Sequence, residues 1–296
     1  MTVSFHQRTL TCWVSQSRVF ATNSGIFISG SHAYLVDPGI TSEELDATAD
    51  FVASRGAQVR GIILTHAHWD HLLGPAVFPT ATVIAHAAYT DVISSHDADL
   101  RRQVSGWQLA NGVDAPRPFV PPWPDIAFDG CVIIHLGSLD LLIMSAPGHA
   151  QDHCVVYEPS AGLLWAGDML SDTEIPMVMD TFGAYRQTLR TLVELEIADL
   201  VPGHGTPTDD QVTIRGRFEQ DRAYLEAVRT CADRAVAEGA SLAETVAGCN
   251  KIPFVQPDSY PHAHQWNIEQ AYLGMGGAAD GVAGWEKDWF TEETEC

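Results

Sequence analysis

Lysine is almost missing from this chain: Lys251 and Lys287 are the only two among 296 residues. Basic residues number 16 against 38 acidic ones, for a formal net charge of −22. A nucleic-acid-binding surface needs clustered Lys and Arg to neutralise phosphates. The nearest approaches, Arg101-Arg102 and Arg215 with Arg217, are diluted by acidic neighbours and read as solvated helix faces. Nucleic acid and other polyanions are therefore disfavoured as partners, and a small-molecule partner is expected. The chain also has no run of about 18 apolar residues, so no membrane span or membrane partner is expected. Met1 to Arg8 shows no basic segment leading into an apolar core, which predicts no secretory signal. The cysteines (Cys12, Cys131, Cys154, Cys231, Cys249, Cys296) are dispersed without a CxxC pair and are expected to be mostly reduced, buried or incidental thiols. A cytoplasmic location follows as the default, and oligomeric state is left open. Hydrophobic content of 46% is enough for a large core in one domain, or one domain with an appendage.

Against this background the run Thr65-His66-Ala67-His68-Trp69-Asp70-His71 stands out, directly after the apolar Gly61-Ile62-Ile63-Leu64. A strand delivers such a cluster to its C-terminal end, where His66 and His68, two apart, face the same way. Asp70 and His71 then turn toward a second point nearby. Three more apolar runs end in a ligand-type residue: Leu141 to Met144 before Pro147-Gly148-His149, Leu163 to Ala166 before Gly167-Asp168, and Leu200-Val201 before Pro202-Gly203-His204. A glycine ahead of each ligand lets the backbone turn sharply and come close where a Cβ would clash. The ordered set His66, His68, Asp70, His71, His149, Asp168, His204 offers three imidazoles to one ion and Asp, His and His to another, with one carboxylate left to bridge. Nitrogen and oxygen donors without thiolate favour catalytic zinc, iron or manganese over a closed structural zinc site.

This order resembles the metallo-β-lactamase-fold superfamily, whose signature is His-x-His-x-Asp-His followed by separate His, Asp and His ligands. The likeness spans roughly residues 20 to 210 and fills every ligand position. It implies an α/β fold, an αββα sandwich of two mixed β-sheets flanked by helices, with a C-terminal helical extension. It also implies that His66, His68 and His149 hold one divalent ion, that Asp70, His71 and His204 hold the other, and that Asp168 bridges. Zinc is the first expectation, with iron or manganese possible. Asn23 to Ile26 and Leu35 to Gly39 look like the hairpin that opens this fold. The expected division is a catalytic domain over 1–210, a helical extension over 211–273 packed on it, and a Gly-rich acidic tail over 274–296.

Two adjacent divalent ions lower the pKa of a shared water from about 15.7 to roughly 7, giving hydroxide for attack on a carbonyl or phosphoryl centre. Asp70 is the expected catalytic residue, orienting that hydroxide or passing its proton to the leaving group. Within the superfamily, true β-lactamases resemble this chain less, because they put Cys or Ser where Asp168 stands. Lactonases, glyoxalase II thioesterases and phosphoesterases resemble it more, and Trp69 inside the motif is similar to the glyoxalase II variant. Yet Met169 to Glu174 holds no Lys or Arg to recognise glutathione. An ester, lactone or thioester of modest size is therefore the expected substrate. The alternatives are an iron-dependent persulfide dioxygenase and a phosphodiesterase or nuclease of the same fold.

Along the chain, strands alternate with helices. Residues 10 to 40 read as a strand meander, and Ser42 opens a helix through Ala53. A short helix is expected over Leu72 to Val77 and a strand over Ala81 to Ala85. Residues 87 to 124 are the least regular, with a polar helix around Ser94 to Gln108 and a proline-rich extended stretch from Pro116 to Pro124. Trp107, Phe119 and Trp123 in this segment are either a lid over the substrate or anchors for a long loop. Trp69, Trp107 and Trp123 are the candidate substrate contacts. Further helices are expected over Tyr185 to Leu195, Phe218 to Ala237 and Leu242 to Ala247. His86, His135 and His153 read as structural. His262 and His264 read as part of a C-terminal helical layer near the site mouth rather than as a third metal pair.

Overall fold

The computed structural model of this chain describes residues 3–111, 119–254 and 261–278. It has a seven-stranded sheet, in order β1 (His6–Gln7), β2 (Cys12–Gln16), β3 (Asn23–Ser29), β4 (His32–Val36), β5 (Gln58–Ile63), β6 (Thr82–His86) and β7 (Ile126–Phe128). A five-stranded sheet packs on it, in order β12 (Asp199–Val201), β11 (Leu163–Trp165), β10 (Cys154–Glu158), β9 (Leu139–Ser145) and β8 (Cys131–Leu136). Both sheets are mixed: the β4, β5, β6, β7 pairings and the β11–β12 pairing are parallel, and the rest antiparallel.

Period-two alternation sets the layers. Phe27, Val36, Ile63 and Ile84 point inward against Leu141, Ile143, Val156, Trp165 and Val201 of the second sheet. Their neighbours Ile26, Leu35, Ile62 and Val83 point outward, under α1 (Ser42–Ser54) and α2 (Tyr89–Asn111), which contribute Val52, Tyr89 and Ile93. On the far side Val155, Tyr157, Leu164 and Leu200 meet α3 (Phe182–Leu192), α4 (Gln211–Ala237), α5 (Leu242–Cys249) and α6 (Pro261–Gly274). The result is the expected αββα sandwich with helices at the C-terminal end. No helix among the described residues is long and apolar enough to cross a membrane.

Several local expectations shift. The cap of α1 is Thr41, not Ser42; its hydroxyl accepts from Glu44 N–H while Glu44 accepts from Thr41 N–H. The short helix foreseen at 72–77 is replaced by two 3-10 turns, Trp69–His71 and Gly74–Ala76, and Gly74 lies against Pro38 with no room for a Cβ. Helix α2 is longer than its polar centre suggested, starting at Tyr89. Asp210 and Thr181 cap α4 and α3 earlier than apolar spacing indicated. Cys231 and Cys249 are not free thiols but a disulfide joining α4 to α5, with Cα atoms 5.9 Å apart. Cys12 and Cys154 are buried thiols and Cys131 an exposed one. The tail from 279 onward lies outside the described residues.

Two backbone bonds tie the sheets together where their strands end: Cys154 N–H to Thr65 O at 2.8 Å and Asn23 N–H to Gly203 O at 2.7 Å. From the helical side, the buried Asn267 of α6 grips the segment before α3. Its Oδ1 accepts from Val178 N–H at 2.9 Å, and its Nδ2 donates to Pro176 O at 2.9 Å and Tyr224 Oη at 3.0 Å. Asn267→Leu keeps the volume but strands these partners away from water. It should lower unfolding free energy by about 2–4 kcal/mol in urea titrations. A midpoint equal to wild type would show that the segment finds other partners.

Candidate metal centre

The chain leaves β5 at Ile63, and Leu64 N–H still pairs with Ile84 O at 2.9 Å. At Thr65 the sheet ends and the side chains converge. Buried Asp37, following β4, accepts three hydrogen bonds: from Thr65 N–H at 2.8 Å, Thr65 Oγ1–H at 2.6 Å and His71 Nδ1 at 3.0 Å. Since the Thr65 proton goes to Asp37, His66 Nδ1–H donates to Thr65 Oγ1 at 3.0 Å. His204 Nδ1 likewise donates to Phe20 O at 3.0 Å. These contacts fix tautomers, so that His66, His71 and His204 each turn Nε2 toward the centre.

Two groups result. His66 Nε2 and His149 Nε2 lie 2.8 and 3.1 Å from His68 Nδ1. Asp168 Oδ2 is 3.4 Å from His66 Nε2 and 3.5 Å from His149 Nε2. In the second group, Asp70 Oδ2 is 3.5 Å from His71 Nε2 and 3.2 Å from His204 Nε2. Asp168 faces this group too, Oδ1 at 3.3 Å from His71 Nε2 and Oδ2 at 3.4 Å from His204 Nε2. All seven residues singled out in the sequence thus lie together, in sets His66–His68–His149–Asp168 and Asp70–His71–His204.

The donor chemistry fits cations. Burial holds His66, His68 and His149 below the usual histidine range, so their imidazoles are neutral lone-pair donors. Burial opposes charge on His71 and His204 as well. Asp168, Asp70 and Asp37 outweigh it at His71, and Glu174 and Asp168 at His204, so both are raised. Asp70, despite burial, is drawn down to about 2 by His71 and His204. Asp168 falls below the carboxylate range, burial again being overcome by His71, His204 and His66. His71 Nε2 and Asp168 Oδ1 are buried without a hydrogen-bond partner. A cation between these groups would satisfy both atoms.

Close approach demands glycine at all three predicted positions, and a Cβ on Gly148 would sit 2.3 Å from Tyr185 Cα. A Cβ on Gly167 would sit 2.2 Å from His153 Nε2, and one on Gly203 2.2 Å from Asp168 Oδ1. His153 is structural, as expected: Nδ1 donates to Ala146 O at 3.0 Å, and Nε2 accepts Asp168 N–H at 3.1 Å. His86 is similarly occupied by Ala88 N–H and the Ser145 hydroxyl, and exposed His135 pairs with Asp140. His264 is buried on α6, 2.9 Å from Tyr224 Oη, while His262 is exposed. Neither joins a potential ligand group among the described residues.

Beside the centre, the Trp69 and Trp107 rings lie 5.2 Å apart, with Phe20 edge-on to Trp69 at 6.2 Å and Phe119 in the same apolar cluster. Trp123 is 62% exposed. Three contributors escaped the sequence reading. Asp37 shows in the sequence only as part of the opening hairpin, although it too ends an apolar run. Glu174 lies within 4.8 Å of Asp168 and His204 as measured between ligand-capable atoms. Burial pushes Glu174 up to about 7, with Asp168 and Asp70 adding to the rise against the pull of His204. Nothing in its local pattern marked it. Phe20 acts through its carbonyl. Among the described residues, the non-glycine positions with positive φ are Phe20, Ala21, Asp37 and Leu170, all on loops of this centre. Strain is concentrated where the ligands are held.

The sequence profile of the Metallo-beta-lactamase superfamily matches residues 17–204. A hydroxyacylglutathione hydrolase of Francisella tularensis subsp. novicida (strain U112) is 27% identical over 174 residues, covering 57% of this chain and 55% of the relative. A probable metallo-hydrolase of Bacillus subtilis (strain 168) is 32% identical over 239 residues, 70% of this chain and 74% of the relative. The chain thus matches only about half the length of the first of these. Among solved structures, the inverting sec-alkylsulfatase Pisa1 from Pseudomonas sp. superposes with a TM-score of 0.73 at 16% identity, over 95% of this chain and 51% of that one. The DIM-1 metallo-β-lactamase superposes with a TM-score of 0.57 at 14% identity, over 75% of this chain and 97% of that one. These last two likenesses speak for the fold alone.

Asp37 generates the next test. In Asp37→Asn one acceptor oxygen becomes an NH2 donor, so the side chain cannot accept all three bonds and His71 loses its anionic partner. Zinc affinity should fall about 10–100-fold in a competitive chelator titration. Unchanged affinity would mean that His71 is oriented by its packing alone.

Proposed function

The chain belongs to the metallo-beta-lactamase superfamily, and from that premise we propose a metal-dependent hydrolase that cleaves an ester, lactone or thioester of modest size. The observation that carries this reading is Asp168, whose two oxygens face both groups of nitrogen donors. His66, His68 and His149 would hold one divalent ion, Asp70, His71 and His204 a second, and Asp168 would bridge. Zinc suits this mixed nitrogen and oxygen set, as do iron and manganese. Bound there, such ions acidify a water molecule and polarise the group under attack.

The chain's own residues do the rest. Asp70, ionised and fixed against His204, orients the water and accepts its proton for transfer to the leaving group. Asp37, Thr65 and the Phe20 carbonyl hold three imidazoles in register, so no reorganisation accompanies the reaction. Trp69 and Trp107 form an apolar wall for the acyl part, and Trp123, farther along and exposed, is available to longer substrates. Glutathione is a poor fit. Among the described residues, Arg217 reaches the loop after Asp168, and it is engaged by Leu170 O at 3.2 Å, Thr206 O at 2.8 Å and Asp172 at 3.2 Å. With so acidic a chain, nucleic acid is not the proposed substrate. Residues 1–210 would form the catalytic unit and 211–273 a helical extension packed on it.

Elemental analysis of the isolated protein, joined to a panel of lactones, thioesters, β-lactams and phosphodiesters, tests the reading. Two divalent ions per chain and turnover of an ester-type substrate are expected. Asp168→Ala should lose the second ion and most activity while keeping its fold. One iron per chain with oxygen uptake, or full turnover by Asp168→Ala, would overturn it.

The pKa directions add a pH signature. His71 and His204 hold protons to higher pH than free imidazole, so a cation entering their group must displace them. Affinity there should rise with pH through neutrality and beyond. His66, His68 and His149 are lowered and already neutral, so affinity of their group should be flat above about pH 6.5. Zinc titrations at several pH values read both slopes, and equal slopes would contradict the assignment.

A further inference from the structure

Glu174 belongs to neither proposed ligand set, yet its carboxylate is built into the centre. Its Oε1 lies 3.7 Å from His204 Nδ1, and a ligand-capable oxygen lies within 4.8 Å of Asp168 and His204. The segment that carries it is anchored on both sides. Upstream, Ser171 Oγ donates to His204 O at 2.8 Å and accepts from Thr173 N–H at 3.0 Å and Glu174 N–H at 3.1 Å. Downstream, Asn267 grips Pro176 and Val178, and Met179 N–H donates to His149 O at 2.9 Å. The side chain retains 20% exposure, so it borders solvent and the centre at once.

A carboxylate fixed at this place has an electrostatic consequence. Two divalent ions bring more positive charge than Asp70 and Asp168 cancel, and the surplus would draw in anions. A carboxylate held beside that site adds one negative charge, which offsets half of the surplus. The arginine of this loop network, Arg217, is already taken by Asp172 and two carbonyls.

We propose that Glu174 is a specificity-determining residue, a fixed negative charge at the rim of the centre that favours substrates neutral or cationic around the scissile bond over those carrying a carboxylate or phosphate there. This rests on the hydrolase reading above and narrows its substrate class.

The test compares the zinc-loaded full chain with its Glu174→Gln variant, which preserves shape and hydrogen-bonding reach. Zinc content should be equal in both. Inorganic phosphate, measured by calorimetry at low salt, should bind the variant about tenfold more tightly, with the difference shrinking as ionic strength rises. For a pair of aryl esters with acyl chains of equal length, one ending in a methyl and one in a carboxylate, the anionic-to-neutral ratio of kcat/KM should rise about tenfold. Loss of zinc would make Glu174 a ligand, and an equal fall in kcat on both esters would make it a proton-transfer group. Either result, or an unchanged ratio with unchanged phosphate affinity, overturns the proposal. If the wild type hydrolyses no ester, the hydrolase reading fails while phosphate binding still decides the role of Glu174.

Discussion

The centre depends on a buried carboxylate that points at no ion site. Asp37 accepts from a backbone N–H, a hydroxyl and an imidazole, all within 3.0 Å. Each bond has a different effect. The first holds the end of β5, the second fixes which way the Thr65 proton faces and so the tautomer of His66, and the third fixes His71. One residue thereby orients donors in both groups. A buried carboxylate without such partners would cost several kcal/mol. Here the cost is offset by three charge-assisted bonds, and the left-handed backbone of Asp37 places the side chain where they are made.

The remaining ligands follow from the way the sandwich ends. Strands of both sheets stop at the same edge, and a glycine follows β9, β11 and β12 before each ligand. At Gly167 and Gly203 it is the ligand assembly itself that forbids a side chain, since His153 and Asp168 occupy the space. The backbone bonds Cys154–Thr65 and Asn23–Gly203 then keep the two edges from separating. Donors carried by different sheets are therefore held at separations of 3.1 to 3.4 Å.

Much of this was legible in the sequence because ligands terminate apolar runs, and a polar residue at the end of a buried strand has few roles that satisfy it. The two-sheet fold followed from the family resemblance that those ligands carry. Asp37 obeys the same rule but sits where a turn also wants Asp before Pro, so its second role was hidden. Glu174 lies in a loop whose path is set by Ser171 and Asn267, and no local pattern reports the contacts that Asn267 makes with Pro176 and Val178 across 91 and 89 residues of chain. Helices α2 and α4 begin with polar turns that apolar spacing undercounts, while caps such as Asp210 were there to be read. The Cys231–Cys249 link could not be foreseen from spacing, because it joins two helices whose packing is a tertiary fact.

The C-terminal helices matter to the centre more than their distance along the chain suggests. Asp221 of α4 accepts Leu170 N–H at 3.2 Å, and Arg217, one turn earlier, ties the Leu170 carbonyl to Thr206 on the His204 loop. Asp172, paired with Arg217, accepts Thr206 N–H at 2.7 Å. Through α6, Asn267 and Trp266 hold residues 176–178, and the next two residues bond to the backbone of Gly148 and His149. The matched family region ends at 204, so it includes the ligands but not the helices that brace three of their loops. Ligand identity and ligand placement are thus set by different parts of the chain. Substitutions in α4 and α6 act on the centre through backbone position, and the rim around Glu174 is shaped by the part of the sequence that lies outside the family match.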